Sequence, residues 1–196
     1  MADSPVTGIK PGLNPTHTLG SRPENMGLME FEIDAAYASD IGLGTIVAYT
    51  DVANDGAADG TLVAGLAGDG RDPVGVCRGV SYVRPADGEP VEGKFYPGGL
   101  NPVENAKIKV QAAVDRTFIT RGNADISAVI PGQIYAMEAS SINVATGHET
   151  ALVDIAGGVT AGNDSIDVEI VKILDSRNLP EARVLEVRLA RHEFDR

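Results

Sequence analysis

The feature that most constrains this chain is a period of two. Met29, Phe31 and Ile33 alternate with Glu30 and Glu32, the pattern of a strand with one face buried and the other in water. Ile108, Val110, Ala112 and Val114 alternate with Lys107, Lys109 and Gln111, and Leu185, Val187 and Leu189 with Glu186 and Arg188. Strand-forming stretches also occur at residues 44–49, 74–83, 118–119 and 134–137. Within residues 74–83, Gly75 and Gly79 are expected to mark bulges or close backbone approach. Ile166, Val168 and Ile170 alternate with Asp167 and Glu169, and the phase then slips at Val171 and Ile173. A bulge, or burial of both faces, would produce that slip. Turn formers separate these stretches: Asp55-Gly56, Asp59-Gly60, Asp69-Gly70, Asp87-Gly88, Pro97-Gly98-Gly99, Pro131-Gly132 and Gly157-Gly158. About eight short strands with regular turns predict an all-β sandwich or barrel. Helix is expected only as single turns, within residues 34–43 and 127–130.

Residues 1–25 follow another rule. Pro5, Pro11, Pro15 and Pro23, interleaved with Gly8, Gly12 and Gly20, leave no stretch long enough for a helix and favour an extended path. The reading is one domain, with an extended arm over residues 1–25 and a β body over residues 26–196. Val6, Ile9, Leu13 and Leu19 give the arm apolar points. Either it frays as a terminus, or it lies on a neighbouring subunit and those four residues make the contact.

The chain has 196 residues, with 28 acidic and 16 basic side chains and a net charge of −12. Its size suffices for a core without metal or disulfide staples. Nucleic-acid binding depends on neutralising phosphates, so a chain of this charge is expected to bind neither nucleic acid nor an anionic membrane. No apolar run approaches the roughly 18 residues of a membrane span. The single cysteine, Cys77, lies in the apolar run Val74-Gly75-Val76-Cys77 and reads as a small buried hydrophobe. Met1-Ala2-Asp3-Ser4-Pro5 has neither the basic nor the apolar region of a secretion signal, so a reducing cytoplasm, or something assembled there, is the expected setting.

Motifs that would carry chemistry are incomplete. Asp51-Val52-Ala53-Asn54-Asp55-Gly56 opens like a calcium loop, but Ala53 takes the second ligand position and Leu62 stands where a bidentate Glu belongs. Gly42-Leu43-Gly44 and Gly65-Leu66-Ala67-Gly68 lack the strand–loop–helix setting of a phosphate-binding turn. His17, His148 and His192 are far apart in sequence and form no zinc pair. His148-Glu149 is expected in a solvated loop, because neighbours on a strand point to opposite faces. There is no Gly-x-Ser-x-Gly elbow. Twenty-eight acids guarantee accidental carboxylate pairs, so glycosidic chemistry has no specific signal. No cofactor, metal or catalytic residue is expected.

A series of short segments, in order, is similar to a family of tailed-bacteriophage capsid decoration (cement) proteins. Gly8-Ile9-Lys10-Pro11 resembles their Gly-aromatic-x-Pro opening. Ser39-Asp40-Ile41-Gly42-Leu43-Gly44-Thr45-Ile46-Val47 resembles their turn into a strand, and Asp72-Pro73-Val74-Gly75-Val76 the strand after a variable loop. Phe118-Ile119-Thr120 and Ala128-Val129-Ile130-Pro131-Gly132 match a later strand and turn. Ile173-Leu174-Asp175-Ser176-Arg177-Asn178 and residues 184–193 resemble the closing elements. Thr45 stands where that family carries an acidic residue, and Ile9 where it carries an aromatic one.

The resemblance implies a non-enzymatic virion protein on the outer surface of a capsid, assembled in a bacterial cytoplasm. It implies homotrimers at three-fold or quasi-three-fold positions, with the major capsid protein as partner, stabilising the shell against DNA pressure. The alternatives are another phage structural protein (tail tube, head fibre or baseplate) or, from a different class, a sandwich binding a carbohydrate or small ligand. The absence of tryptophan weighs against the sugar platform.

Overall fold

The computed structural model describes residues 13–18, 28–33, 37–49, 61–64, 73–98, 106–112, 116–139, 141–160, 167–176 and 183–190. These contain fifteen strands and no helix, which makes the fold all-β. In chain order they are β1 (Asn14–Thr18), β2 (Leu28–Ile33), β3 (Ile41–Gly42), β4 (Ile46–Tyr49), β5 (Thr61–Ala64), β6 (Pro73–Val83), β7 (Pro90–Gly93) and β8 (Phe95–Tyr96). Then follow β9 (Lys107–Ala112), β10 (Arg116–Arg121), β11 (Ile134–Ala136), β12 (Ile142–Asn143), β13 (His148–Glu149), β14 (Asp167–Ser176) and β15 (Arg183–Leu189).

Two sheets dominate. The first runs β1-β10-β15-β14-β11. The second runs β4-β5-β2-β9-β6-β7, and β4 also pairs with β6, so five of its strands close into a ring. All of these ladders are antiparallel except β2 with β5. Closure removes free edges, which otherwise present unpaired N–H and C=O groups to other chains. Two short pairs, β3–β8 and β12–β13, complete the described strands.

There are two cores. Ile33, Val47, Cys77, Val80, Ile108 and Val110, contributed by strands of the ring, form one with Ile41 and Tyr96 of the β3–β8 pair. Phe118, Val168, Ile170, Leu185, Val187 and Leu189 of the first sheet form the other, and it takes in Ile46 and Val76 of the second sheet. Adjacent residues Ile46 and Val47, and likewise Val76 and Cys77, therefore serve different cores. That is why β4 and the first half of β6 are apolar throughout instead of alternating.

The long strands follow the sequence reading closely. In β14 the ladder with β15 shifts between Ile170 and Lys172 and again between Ile173 and Asp175, the bulges the slipped phase predicts. In β6 the ladder with β9 shifts between Cys77 and Gly79. A Cβ on Gly75 would lie 2.1 Å from the carbonyl oxygen of Gln111, so only glycine lets those strands pair.

Two expectations need correction. No described residue of 34–43 or 127–130 is helical. Residues 37–43 run into β3, and a tight turn forms where the Val129 amide donates to the Ile126 carbonyl and Asp125 captures the amide and hydroxyl of Ser127. Of the arm over residues 1–25, residues 13–18 are described. Asn14–Thr18 is a strand of the first sheet, in register with β10 at Asn14↔Ile119 and Pro15↔Phe118. Secondly, His148 and Glu149 form a strand, and Glu149 is buried.

Thr120 is fully buried, yet its hydroxyl has no hydrogen-bond partner. Thr120→Val keeps the shape and removes an unsatisfied polar group. It is expected to raise the unfolding free energy by about 1 kcal/mol, read as a shift of the urea midpoint at constant slope.

Candidate functional site

Of the four apolar residues assigned to an outward contact, the described residues include Leu13. It is fully buried and belongs to the core between the two sheets. Its amide donates to the Gly44 carbonyl at 3.1 Å, where Gly44 takes a φ of 91° in the turn ahead of β4. A leucine buried this way contributes about 2–3 kcal/mol to its own fold and has no surface left for a partner. Leu13 is therefore an anchor of the body, a correction to its assignment as a capsid contact. Val6, Ile9 and Leu19 lie outside the described residues, as does the acidic loop at residues 51–60.

The anchor leads to the most heavily bonded polar group of the described interior. Thr45 and Glu149 are 1% and 2% exposed. The Thr45 hydroxyl donates to Glu149 Oε2 at 3.0 Å and accepts the Gly42 amide at 3.2 Å. Glu149 Oε1 accepts the backbone amides of Ser141, Thr150 and Ala151 at 2.7, 2.9 and 3.0 Å. Backbone bonds run alongside: Leu43 N–H to Gly147, Glu149 N–H to Leu43, Gly44 N–H to Cys77 and Cys77 N–H to Thr45. The carboxylate satisfies the Ser141 and Ala151 amides and shares the Thr150 amide with the Ser141 carbonyl. It ties β13 to the β3–β4 turn, and through that turn to β6.

A second polar node sits at the end of β10. The Asn123 amide nitrogen donates to Glu138 Oε1 at 3.1 Å and to Asp154 Oδ1 at 2.8 Å. Glu138 Oε2 also accepts the Leu152 amide, Asp154 Oδ1 the Gly157 amide, and Arg183 donates to the Asn123 carbonyl. This carboxylate pair is held by amide donors that close a loop. Among the described residues no group of three or more His, Cys, Asp or Glu is placed to hold a metal ion.

Cys77 is buried in the ring core, and desolvation pushes its thiol up to about 12, against smaller opposing effects of the Gly79 carbonyl and Arg78. Its sulfur lies 3.8 Å from the Gly79 carbonyl oxygen.

The hydrogen-bonding role of Glu149 was not readable in advance, because its partners are backbone amides and a hydroxyl 104 positions away. The one available signal was Thr45, a hydroxyl at the position where the resembling family carries an acid. Neither a family model, nor a curated protein, nor a solved structure matches this chain.

Two outcomes follow from these sites. Thr45→Asp would set a second carboxylate against buried Glu149 and is expected to cost on the order of 3 kcal/mol. Adding Glu149→Gln should recover most of it, since Oε1 can keep its three amides while the new NH₂ group donates to the introduced acid. A double-mutant cycle by chemical denaturation measures the coupling. Cys77 should resist a thiol-specific chromogenic disulfide up to about pH 9, remaining neutral below its raised pKa, and react once urea unfolds the chain.

Proposed function

We propose that this chain is a non-enzymatic structural protein of a bacteriophage virion, binding the outer surface of the capsid as a homotrimer at three-fold or quasi-three-fold positions. The observation that carries the reading is the anchoring of its N-terminal segment. Leu13 and β1 are built into the body, so the twelve residues ahead of Leu13, with apolar Val6 and Ile9, start from a fixed point at a sheet edge. Extended, such a segment reaches about 40 Å at roughly 3.3 Å per residue, enough to cross a joint between neighbouring subunits.

Other features support the same role. Most of the described segments that resemble decoration proteins lie on framework elements. Residues 39–47 run through β3 into β4, residues 73–76 open β6, residues 118–120 lie in β10, and residues 173–176 and 184–189 lie in β14 and β15. The two polar nodes described above serve to close loops. A net charge of −12 suits an exposed outer surface and disfavours contact with packaged nucleic acid.

The mechanism is mass action. A protein that binds only the assembled shell stabilises it by RT ln(1 + [L]/Kd), about 2.7 kcal/mol per site at a hundredfold excess over Kd. Trimer avidity and many equivalent sites turn modest contacts into a clamp.

The test is deletion of residues 2–11, which stops short of the Leu13 anchor. The truncated chain is expected to keep its unfolding midpoint and its trimeric mass in light scattering, and to lose co-sedimentation with heads that lack this protein. A full-length chain that is monomeric and ignores such heads would overturn the proposal. Deletion through residue 20 removes Leu13 and β1 and should instead destabilise the body by more than about 2 kcal/mol.

A further inference from the structure

The longest unbroken exposed run among the described residues is not in the N-terminal segment. Residues 83–90 are exposed at all eight positions. They form the tip of the β6–β7 ribbon. The last rung that β6 shares with β9 is Ser81↔Lys107, and beyond it Tyr82 pairs with Val91 and Val83 with Pro90 alone. The ribbon is rooted where Tyr82 packs edge-on against Tyr96, with ring centroids 5.8 Å apart. Past that root, none of its residues belongs to either core.

A free two-stranded ribbon is marginal in water, yet this tip is heavily constrained. The Arg84 amide donates to the Glu89 carbonyl, and the Gly88 amide to the Arg84 carbonyl, both at 2.8 Å. Gly88 adopts a φ of 71°. Asp87 accepts the Glu89 amide at 3.1 Å and pairs with the Arg84 guanidinium at 2.6 Å. The Glu89 amide and Arg84 hold the Asp87 carboxyl below its usual range. Pro85 and Pro90 restrict the backbone further. Order of this kind serves no core here; it lowers the entropy lost when a partner is bound.

We propose that the β6–β7 ribbon is a preformed docking finger that enters an apolar, basic-rimmed pocket on the outer face of the capsid shell. The chemistry of the tip selects that occupant. Val83, Pro85, Ala86 and Pro90 supply exposed apolar surface. Arg84 and Asp87 neutralise each other, which leaves Glu89 as the uncompensated charge on a chain of net −12. A basic rim on the shell complements that charge. The proposal rests on the capsid reading and adds a second contact to the N-terminal segment.

The experiment measures half-saturation of purified heads lacking this protein by the full chain and by two variants. In one, residues 83–90 are replaced by Asn-Gly, the two-residue turn suited to the Tyr82↔Val91 pair. The other is Glu89→Lys, at an exposed side chain outside both cores, with Val144→Lys at the tip of the β12–β13 hairpin as the control. Thermal midpoints should be unchanged. The shortened ribbon is expected to weaken decoration at least about 100-fold. Glu89→Lys should weaken it about tenfold at low salt, less at high salt, and the control should leave it unchanged. Wild-type half-saturation by both variants, while the full chain decorates, would overturn the finger and leave the capsid reading standing. Failure of the full chain itself to decorate would overturn both.

Discussion

The fold depends on strands that are buried on both faces. β4 and the first half of β6 close the ring of the second sheet and also give Ile46 and Val76 to the core against the first sheet. Such strands can expose no polar side chain, and their ladders must be complete. β4 accordingly pairs on both sides, with β5 and with β6. The close approach of Gly75 to Gln111 is a consequence of the same crowding. The N-terminal strand reaches this shared wall through Leu13, which packs in the core with Ile46 and Val76.

Where the wall meets connecting loops, backbone amides turn toward a partly buried region. Glu149 meets that demand with one carboxylate, accepting three amides on one oxygen and the Thr45 hydroxyl on the other. A buried carboxylate is costly alone and acceptable when its hydrogen-bonding capacity is filled. Asn123 has the reverse role at the far end of the first sheet, supplying donors to two carboxylates. These arrangements explain how a chain rich in acids places several of them inside without a metal site among the described residues.

The two surface features that support a binding role differ in kind. The N-terminal segment starts from a buried anchor, so its attachment is energetic as well as covalent. The β6–β7 ribbon is held by its own hydrogen bonds and by a root on Tyr96. The ribbon leaves the body where packing ends and presents Val83, Pro85, Ala86 and Pro90 beside Glu89.

Much of the framework was legible from alternation alone. The strands around Met29–Ile33, Ile108–Val110, Ile166–Ile173 and Leu185–Leu189 follow from a period of two, and the bulges in β14 follow from the slip in that period. Short strands were illegible for a physical reason. β7 carries Pro90 and Gly93 and β12 carries Asn143, residues that local propensity assigns to turns, and long-range pairing overrides that propensity; β8 and β13 are only two residues long, too short for alternation to show. Local chemistry therefore determined that the chain is all-β, acidic and free of a recognisable catalytic motif. Only the tertiary structure decided that Leu13 points inward, that Glu149 is a buried acceptor and that residues 83–90 project. Each of those depends on partners distant in sequence, and burial is a property of what packs on a residue, not of the residue itself.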